Sequence, residues 1–319
     1  MNLISRFVWI ILIVVGLWGN AGTHSALAAH NPAPMATILA DRATASTYPF
    51  HAGVSAYQVG HFRDAVFAFS EVLEANPGHS KAYGNRCLSY LQLAEYSQAI
   101  ADCTEALTLN IQNERVPHSE NIELYLNRGL AYYRLANYEK AIVDFDAILA
   151  TIPDYRAFYN RGLAKFALQH YESAIADYDQ SIRQSPALSM QRSAAVYDDR
   201  AIAYLSLNNP DQAIVDLTQA IALNPSDQRA FFNRACTYHQ QGELVLAFQD
   251  FQQVLALNPN NLQAQFNVGL IHRQLGHRQQ AYAFLKEAAL GFYKNGETVS
   301  FEAALEILQQ MQNEKSVIG

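Results

Sequence analysis

The sequence has few charges, no concentration of basic residues and only three cysteines. Of its 319 residues, 16% are charged, and the formal net charge of −7 comes without a basic run or an arginine-rich stripe. A negative chain without a basic face repels phosphate backbones, so we expect no nucleic-acid partner. Half of the residues are hydrophobic, which is too many for a disordered chain and ample for a packed core.

Motifs of catalysis and cofactor binding are also missing. The chain has no Gly-rich phosphate loop and no nucleophile elbow. Its ten histidines are scattered and have no Cys, His or carboxylate partners at the spacing of metal ligands. We therefore predict a protein that is not an enzyme and that carries no metal and no cofactor.

The N-terminal residues predict a targeting segment. One positive charge precedes the apolar run 7–18, and Ala26-Leu27-Ala28 offers a small-x-small cleavage site. These features predict a signal peptide over residues 1–28 and export to the periplasm, the thylakoid lumen or another extracytoplasmic compartment. The alternative is an uncleaved anchor, although the run is shorter than the about 20 residues of a membrane span. Residues 29–45, rich in Ala, Pro, Thr and Ser, predict a flexible tether.

A helical pattern recurs seven times along the rest of the chain. Its clearest copy has Gly129 in a small position, Tyr132 three residues later, and Phe145 four residues after Ala141. The small positions are Gly53, Cys87, Gly129, Gly162, Ala201, Ala235 and Gly269, and the second-helix alanines are Ala65, Ala99, Ala141, Ala174, Ala213, Ala247 and Ala281. Two junctions, at 111–121 and 187–193, contain extra residues.

This pattern resembles the tetratricopeptide repeat. The resemblance implies an all-α, right-handed α-solenoid of about seven helix pairs with a C-terminal capping helix. The solenoid is expected over 46–295, with the capping helix and tail at 296–319. The repeats are predicted near 46–79, 80–113, 122–154, 155–188, 194–227, 228–261 and 262–295.

An arginine and an aspartate recur sixteen residues apart in five repeats. The pairs are Arg86 with Asp102, Arg128 with Asp144, Arg161 with Asp177, Arg200 with Asp216, and Arg234 with Asp250. The first and last repeats lack both partners. Because a buried arginine requires a paired and hydrogen-bonded partner, the joint presence or absence predicts structural salt bridges within each repeat.

An asparagine precedes the arginine position in a nearly continuous row. The row contains Asn85, Asn127, Asn160, Asn233 and Asn267, and the aromatic residues before three of them are Tyr159, Phe232 and Phe266. It resembles the asparagine ladder in the groove of O-GlcNAc transferase and, more loosely, the asparagines by which chaperone-adaptor repeat domains hold a terminal carboxylate. An amide can bind a peptide backbone of any sequence. The predicted site is therefore a partly apolar groove for an extended peptide; alternatively, the amides bond adjacent helices and rigidify the stack.

Cys87 and Cys103 fill the small position of the first helix and the aromatic position of the second helix in one repeat. These positions face each other across a helix pair, and an exported compartment permits oxidation. The two residues therefore form either a disulfide or a pair of buried thiols that pack as small hydrophobes.

Taken together, the resemblance implies a non-catalytic scaffold that binds an extended segment of a partner protein in its concave groove. The repeated Asn-Arg-Gly and Ala-Ile-x-Asp runs look like those of cyanobacterial repeat proteins, some of which assist assembly of photosynthetic membrane complexes. One alternative is an envelope tether for peptidoglycan or secretion machinery, and another is a glycan-binding or enzymatic concave face. A protein or peptide partner is expected, with membrane contact only through an uncleaved signal segment, and no feature specifies an oligomeric state.

Overall fold

The computed structural model describes residues 47–113, 118–184 and 190–318, and within these ranges the chain folds entirely into helices joined by short turns. The predicted signal peptide and tether lie outside the described residues. The helices are α1 Thr47–Gln58, α2 Phe62–Ala75, α3 Ser80–Gln92, α4 Tyr96–Gln112, α5 His118–Arg134, α6 Tyr138–Leu149, α7 Tyr155–Ala167, α8 Tyr171–Gln184, α9 Met190–Ser206, α10 Pro210–Leu223, α11 Gln228–Gln240, α12 Leu244–Leu257, α13 Leu262–Gln274, α14 Arg278–Lys294 and α15 Thr298–Ile318. The prediction of an all-α solenoid of about seven helix pairs with a C-terminal helix is confirmed.

The helices form two compact units. The N-terminal unit contains α1 to α8, and the C-terminal unit contains α9 to α15. Within each unit, consecutive helices pack as antiparallel pairs, and each pair packs on the next. Among the described residues, no helix has both the length and the apolarity that a membrane span requires.

In every repeat except the second, the helix pair closes around a small residue that faces a large one. A Cβ added to Gly129 would lie 2.7 Å from the Phe145 ring, and one added to Gly162 would lie 2.7 Å from the Tyr178 ring. Both aromatic side chains are almost completely buried. The recurring small position therefore lets the first helix approach the ring of the second at van der Waals distance.

The turn inside each helix pair passes through the left-handed backbone region. Ala136 has φ 56° and Asn208 has φ 56°, where the corresponding turn of the sixth repeat has Gly242 with φ 82°. A left-handed residue ends one helix and reverses the chain within a few residues. Alanine in this region carries a steric cost that glycine does not.

Two helices begin earlier than the predicted repeats. α5 begins at His118 and α9 at Met190, whereas the repeats were predicted from 122 and 194. Residues 118–121 and 190–193 of these junctions therefore lengthen the first helix of a repeat, because they continue its helical hydrogen bonding. Residues 114–117 and 185–189 lie outside the described residues.

The last helix covers the end of the C-terminal unit. Ala304, Ile307, Leu308 and Met311 of α15 are buried and belong to the same apolar cluster as Phe292 of α14. Glu302 and Glu306, on the other side of the helix, are exposed. One apolar and one polar side are what a terminal unit of a solenoid requires.

We expect Gly129→Val to lower the thermal unfolding midpoint by several degrees, because the added methyl groups collide with the buried Phe145 ring. Overpacking of this kind costs roughly 1–3 kcal/mol. Gly129→Ala is the graded comparison: its Cβ alone would lie 2.7 Å from the same ring, so it should lower the midpoint by less than Gly129→Val, which adds two further methyl groups. Circular dichroism melts measure both variants, and equal melting of Gly129→Val and wild type would contradict the close approach.

Candidate functional site

Every arginine of the five predicted pairs contacts its aspartate. In the second repeat, Arg86 Nε and Nη2 donate to the two carboxylate oxygens of Asp102 at 2.7 and 2.9 Å. The same two-pronged contact joins the other four pairs, Arg128–Asp144, Arg161–Asp177, Arg200–Asp216 and Arg234–Asp250. The aspartates are buried, so the fork-shaped guanidinium supplies the hydrogen bonds that a buried carboxylate requires.

The arginine also reaches the preceding repeat. The Nη1 atom of Arg86 donates to Ser70 Oγ at 2.9 Å, and that of Arg128 donates to Thr104 Oγ1 at 3.1 Å. Arg161 and Arg234 repeat this contact with Asp146 and Thr218. Each acceptor lies two residues after the aspartate position of its own repeat. This spacing is visible in the sequence, but the prediction of bridges within each repeat did not include it.

An aromatic ring completes this arrangement, here called the arginine clasp. The guanidinium carbon lies between 5.3 and 5.9 Å from the ring of the residue three positions earlier, as in Arg86 over Tyr83 and Arg200 over Tyr197. The hydrogen bond to Asp102 raises the pKa of Arg86 above its ordinary value. Burial raises the pKa of Asp144 although Arg128 opposes it. The clasps are therefore structural groups without a free carboxylate for chemistry.

The five predicted groove asparagines fall into two groups. Asn160 and Asn267 donate to the backbone carbonyls of Arg156 and Gln263, each four residues earlier in the same helix, at 2.8 Å. Asn233 donates to Asp198 Oδ1 at 3.2 Å across two helices. These three amides are held by the protein itself, as the structural alternative for the row expects.

Asn85 and Asn127 differ from the other three amides. The Nδ2 atom of Asn85 is buried and has no hydrogen-bond partner, and Asn127 is buried with no side-chain hydrogen bond among the described residues. They occupy the same position in consecutive repeats, on α3 and α5. The unpaired buried donor of Asn85 is destabilising by roughly 1–3 kcal/mol. Because neither side chain is bonded to the protein among the described residues, Asn85 and Asn127 are the uncommitted part of the row.

Two of the three aromatic residues predicted to line the groove are buried in the core. Phe232 and Phe266 retain only 2% and 4% of their exposure and pack edge-to-face on Phe251 and Phe292 inside their own repeats. They are core residues, because each ring packs on a buried phenylalanine of the second helix. Tyr159 is half-buried and contacts the Tyr178 ring.

Two further arginines connect neighbouring repeats on the asparagine side. Arg156, one turn before Asn160, pairs with Glu123 at 2.8 Å and with Asp154 at 2.7 Å. Burial opposes the charge of Arg156, yet its bonds to these two carboxylates leave its pKa raised. Opposite charges one turn before the asparagines therefore pair between repeats.

In the C-terminal unit, the equivalent arginine faces two adjacent carboxylates. Arg229 pairs with Asp198, and its Nη2 atom lies 3.2 Å from Asp199 Oδ1. Asp198 is fully buried, and burial raises the pKa of its carboxyl to about 6 although Arg229 opposes the shift. The cluster is a desolvated ion-pair network. In the sequence its one sign is Asp199, which stands where five other repeats have an asparagine.

Cys87 and Cys103 form a disulfide with their Cα atoms 5.5 Å apart, and both are completely buried. They occupy the positions where the neighbouring repeats pack glycine against an aromatic ring, so the short distance between the backbones suits the bond. Of the two alternatives for this pair, the structure contains the disulfide. Cys236 is a free buried thiol whose pKa is raised to about 12 by burial.

The stacked helix pairs and their clasps define a helical-repeat protein, a class that typically presents an extended surface for binding. Profiles of the tetratricopeptide repeat family match residues 50–114, 126–189, 199–261 and 262–289, well over half of the chain. The chain belongs to the tetratricopeptide repeat family. Members of this family are typically non-catalytic modules that bind proteins or peptides, and within the described residues no cluster of three or more potential metal ligands occurs.

Parts of this chain are similar to other proteins in sequence or in fold. The mitochondrial import receptor subunit TOM34 of Homo sapiens is 43% identical over 54 residues, which are 17% of this chain and 18% of that protein. The chain thus matches less than a fifth of this relative. The Pseudomonas aeruginosa pilF structure has a TM-score of 0.58 at 16% identity, with 74% of this chain and 97% of that one covered. YrrB, described as a repeat protein with an unusual peptide-binding site, has a TM-score of 0.50 at 19% identity, with 63% and 96% covered. These structural likenesses concern the fold.

We expect Asp144→Ala to be more destabilising than the double variant Arg128→Ala/Asp144→Ala. The single change leaves the Arg128 guanidinium, which is mostly buried, without its carboxylate. Because the group keeps some contact with solvent, we expect the free energy of unfolding to fall by about 2 kcal/mol. The double change reproduces the first repeat, where Ala52 and Ala68 hold both places. Thermal melts of the three proteins measure the effect, and a double variant that melts below the single one would contradict the pairing.

The raised pKa of the Asp198 carboxyl should make the stability of the protein depend on pH. Its pKa is raised from 3.8 to about 6, so the folded protein binds this proton more tightly than the unfolded chain does. The resulting stabilisation is fully present below pH 3.8 and is lost as the pH rises through about 6. Urea unfolding at stepped pH should show Asp198→Asn gaining stability relative to wild type across this window. A constant difference between the two proteins would contradict the shift.

Proposed function

We propose that this protein is a non-catalytic scaffold that binds an extended, acidic segment of a partner protein across α3 and α5. The observation that carries the proposal is the pair of uncommitted amides, Asn85 and Asn127, in consecutive repeats. An acceptor brought to the buried Nδ2 atom of Asn85 would provide the hydrogen bond that this donor lacks. Two amides in successive repeats can bond successive acceptors of an extended chain.

The charge near these amides supports an acidic segment. Lys81 lies one turn before Asn85, and residues four apart share one face of a helix. Within the described residues, Lys81 has no ion-pair partner, whereas the charge of Arg156 is matched by Glu123 and Asp154. A carboxylate of the partner therefore has one free ammonium group and two amides to bind.

We also propose that the protein acts after export, in the assembly of an envelope or photosynthetic complex. The apolar segment near the N-terminus and the small-x-small site at Ala26–Ala28 support export. The Cys87–Cys103 disulfide is compatible with an oxidising compartment. The peptide-binding description of YrrB agrees with a peptide ligand, as an analogy of fold.

The proposal predicts a selective loss of binding in Asn85→Ala/Asn127→Ala. The probe is a fluorescein-labelled pool of twelve-residue peptides with four positions restricted to Asp and Glu, and the readout is anisotropy with the mature chain. We expect roughly thirtyfold weaker binding by the double variant, since two hydrogen bonds contribute about 1 kcal/mol each and about 1.4 kcal/mol corresponds to a factor of ten. Lys81→Ala should reduce the preference over a pool with Asn and Gln at those positions.

Asn160→Ala is the matched control, because that amide is already bonded to its own helix. It should bind within about twofold of wild type, and all variants should keep their helicity by circular dichroism. Equal binding by the double variant and wild type, or absence of binding to the acidic pool, would refute the proposed site.

A further inference from the structure

The disulfide lies directly beside the uncommitted amide. Asn85, Arg86 and Cys87 are consecutive in α3, and Asp102 and Cys103 are consecutive in α4. The clasp Arg86–Asp102 and the bond Cys87–Cys103 therefore join the same two turns of these helices. The helical turn that presents Asn85 is held by both links.

The reduced state cannot pack this position as the neighbouring repeats do. The first, third and fourth repeats fill it with an aromatic ring against glycine, as in Gly53 with Phe69. Two cysteine side chains have less volume than a ring, and unbonded sulfur atoms cannot remain at bonding distance. Reduction therefore leaves an under-packed interior between α3 and α4, or separates the two helices.

The same apolar cluster extends to the helix that carries the second amide. Cys87 and Cys103 share it with Leu124 and Ala131 of α5. A Cβ at Gly84, next to Asn85, would lie 2.9 Å from Leu124 Cδ2, so α3 and α5 are in close contact at this level. A displacement of α3 thus changes the spacing between Asn85 and Asn127.

We propose that Cys87 and Cys103 are positioning residues whose disulfide sets the spacing of Asn85 and Asn127, so that the oxidised chain binds the acidic segment more tightly than the reduced chain. This inference rests on the proposed function. Reduction transfers two electrons and two protons from an external dithiol, breaks the S–S bond and yields two thiols and the disulfide of the reductant. Both sulfurs are completely buried, so exchange requires local opening of the pair.

The test compares the oxidised mature chain with chain that was reduced in denaturant and refolded with dithiothreitol. Mass analysis after alkylation in denaturant counts one free thiol in the first and three in the second, as the three cysteines require. With the acidic peptide pool as probe, we expect binding to weaken about fivefold or more on reduction. Both forms should remain helical by circular dichroism.

The control variant Cys87→Gly/Cys103→Phe installs the pair found in the neighbouring repeats. It should bind like the oxidised wild type with and without dithiothreitol, which a general effect of the reductant could not produce. A second variant, Cys87→Ala/Cys103→Leu, copies Ala201 and Leu217 of the fifth repeat and serves if the first does not fold.

Equal affinity of oxidised and reduced wild type overturns this inference and leaves the proposed function standing. Equal weakening of wild type and both control variants by dithiothreitol also overturns it. Absence of binding by every form, including the oxidised chain, refutes the proposed function itself.

Discussion

The structure depends on a guanidinium group that bonds two helices of one repeat and one helix of the repeat before it. Two of its nitrogens take both oxygens of a buried aspartate, and the third reaches a side chain of the preceding repeat. Each pair of helices has little apolar interior of its own, since one face is needed for the next pair. A charged group with five donors in a fixed fork adds direction to packing that hydrophobic contact alone leaves non-directional. In the five repeats that contain it, the clasp therefore favours one register of the helix pair. Through Arg86, Arg128, Arg161 and Arg234 it also favours one position of the pair on the repeat before it.

The clasps also determine which polar groups remain for a ligand. Because every clasp arginine is bound to its aspartate, the charges beside the asparagine row come from other residues. Glu123 and Asp154 match Arg156, and Asp198 and Asp199 face Arg229. Only the segment around Asn85 and Asn127 combines an unmatched lysine with amides that lack partners among the described residues. The uniform row in the sequence thus becomes a local site in the second and third repeats.

The sequence allowed prediction of the parts of the fold that depend on local chemistry repeated along the chain. Small and aromatic residues at helical spacing identified seven helix pairs, and the joint presence of Arg and Asp predicted contacts that the structure contains. The repeat bounds near 122 and 194 did not specify where the helices begin, since nothing local distinguishes a lengthened helix from a loop at the two irregular junctions; in the structure, α5 and α9 begin at His118 and Met190. Two of the three predicted aromatic lining residues are core residues instead: Phe232 and Phe266 precede the asparagines in sequence, yet their rings pack inward onto Phe251 and Phe292.

By itself, the sequence determined the repeat, its helical class, its lack of recognisable catalytic or metal-binding motifs and the pairing of its buried charges. These features follow from spacing within one repeat, where a residue's neighbours are known from helical geometry. The tertiary structure alone decided which amides are already bonded, which charges cancel between repeats, and that two cysteines are close enough to join. Those outcomes depend on distances between helices and on exposure after packing, which spacing along the chain does not specify.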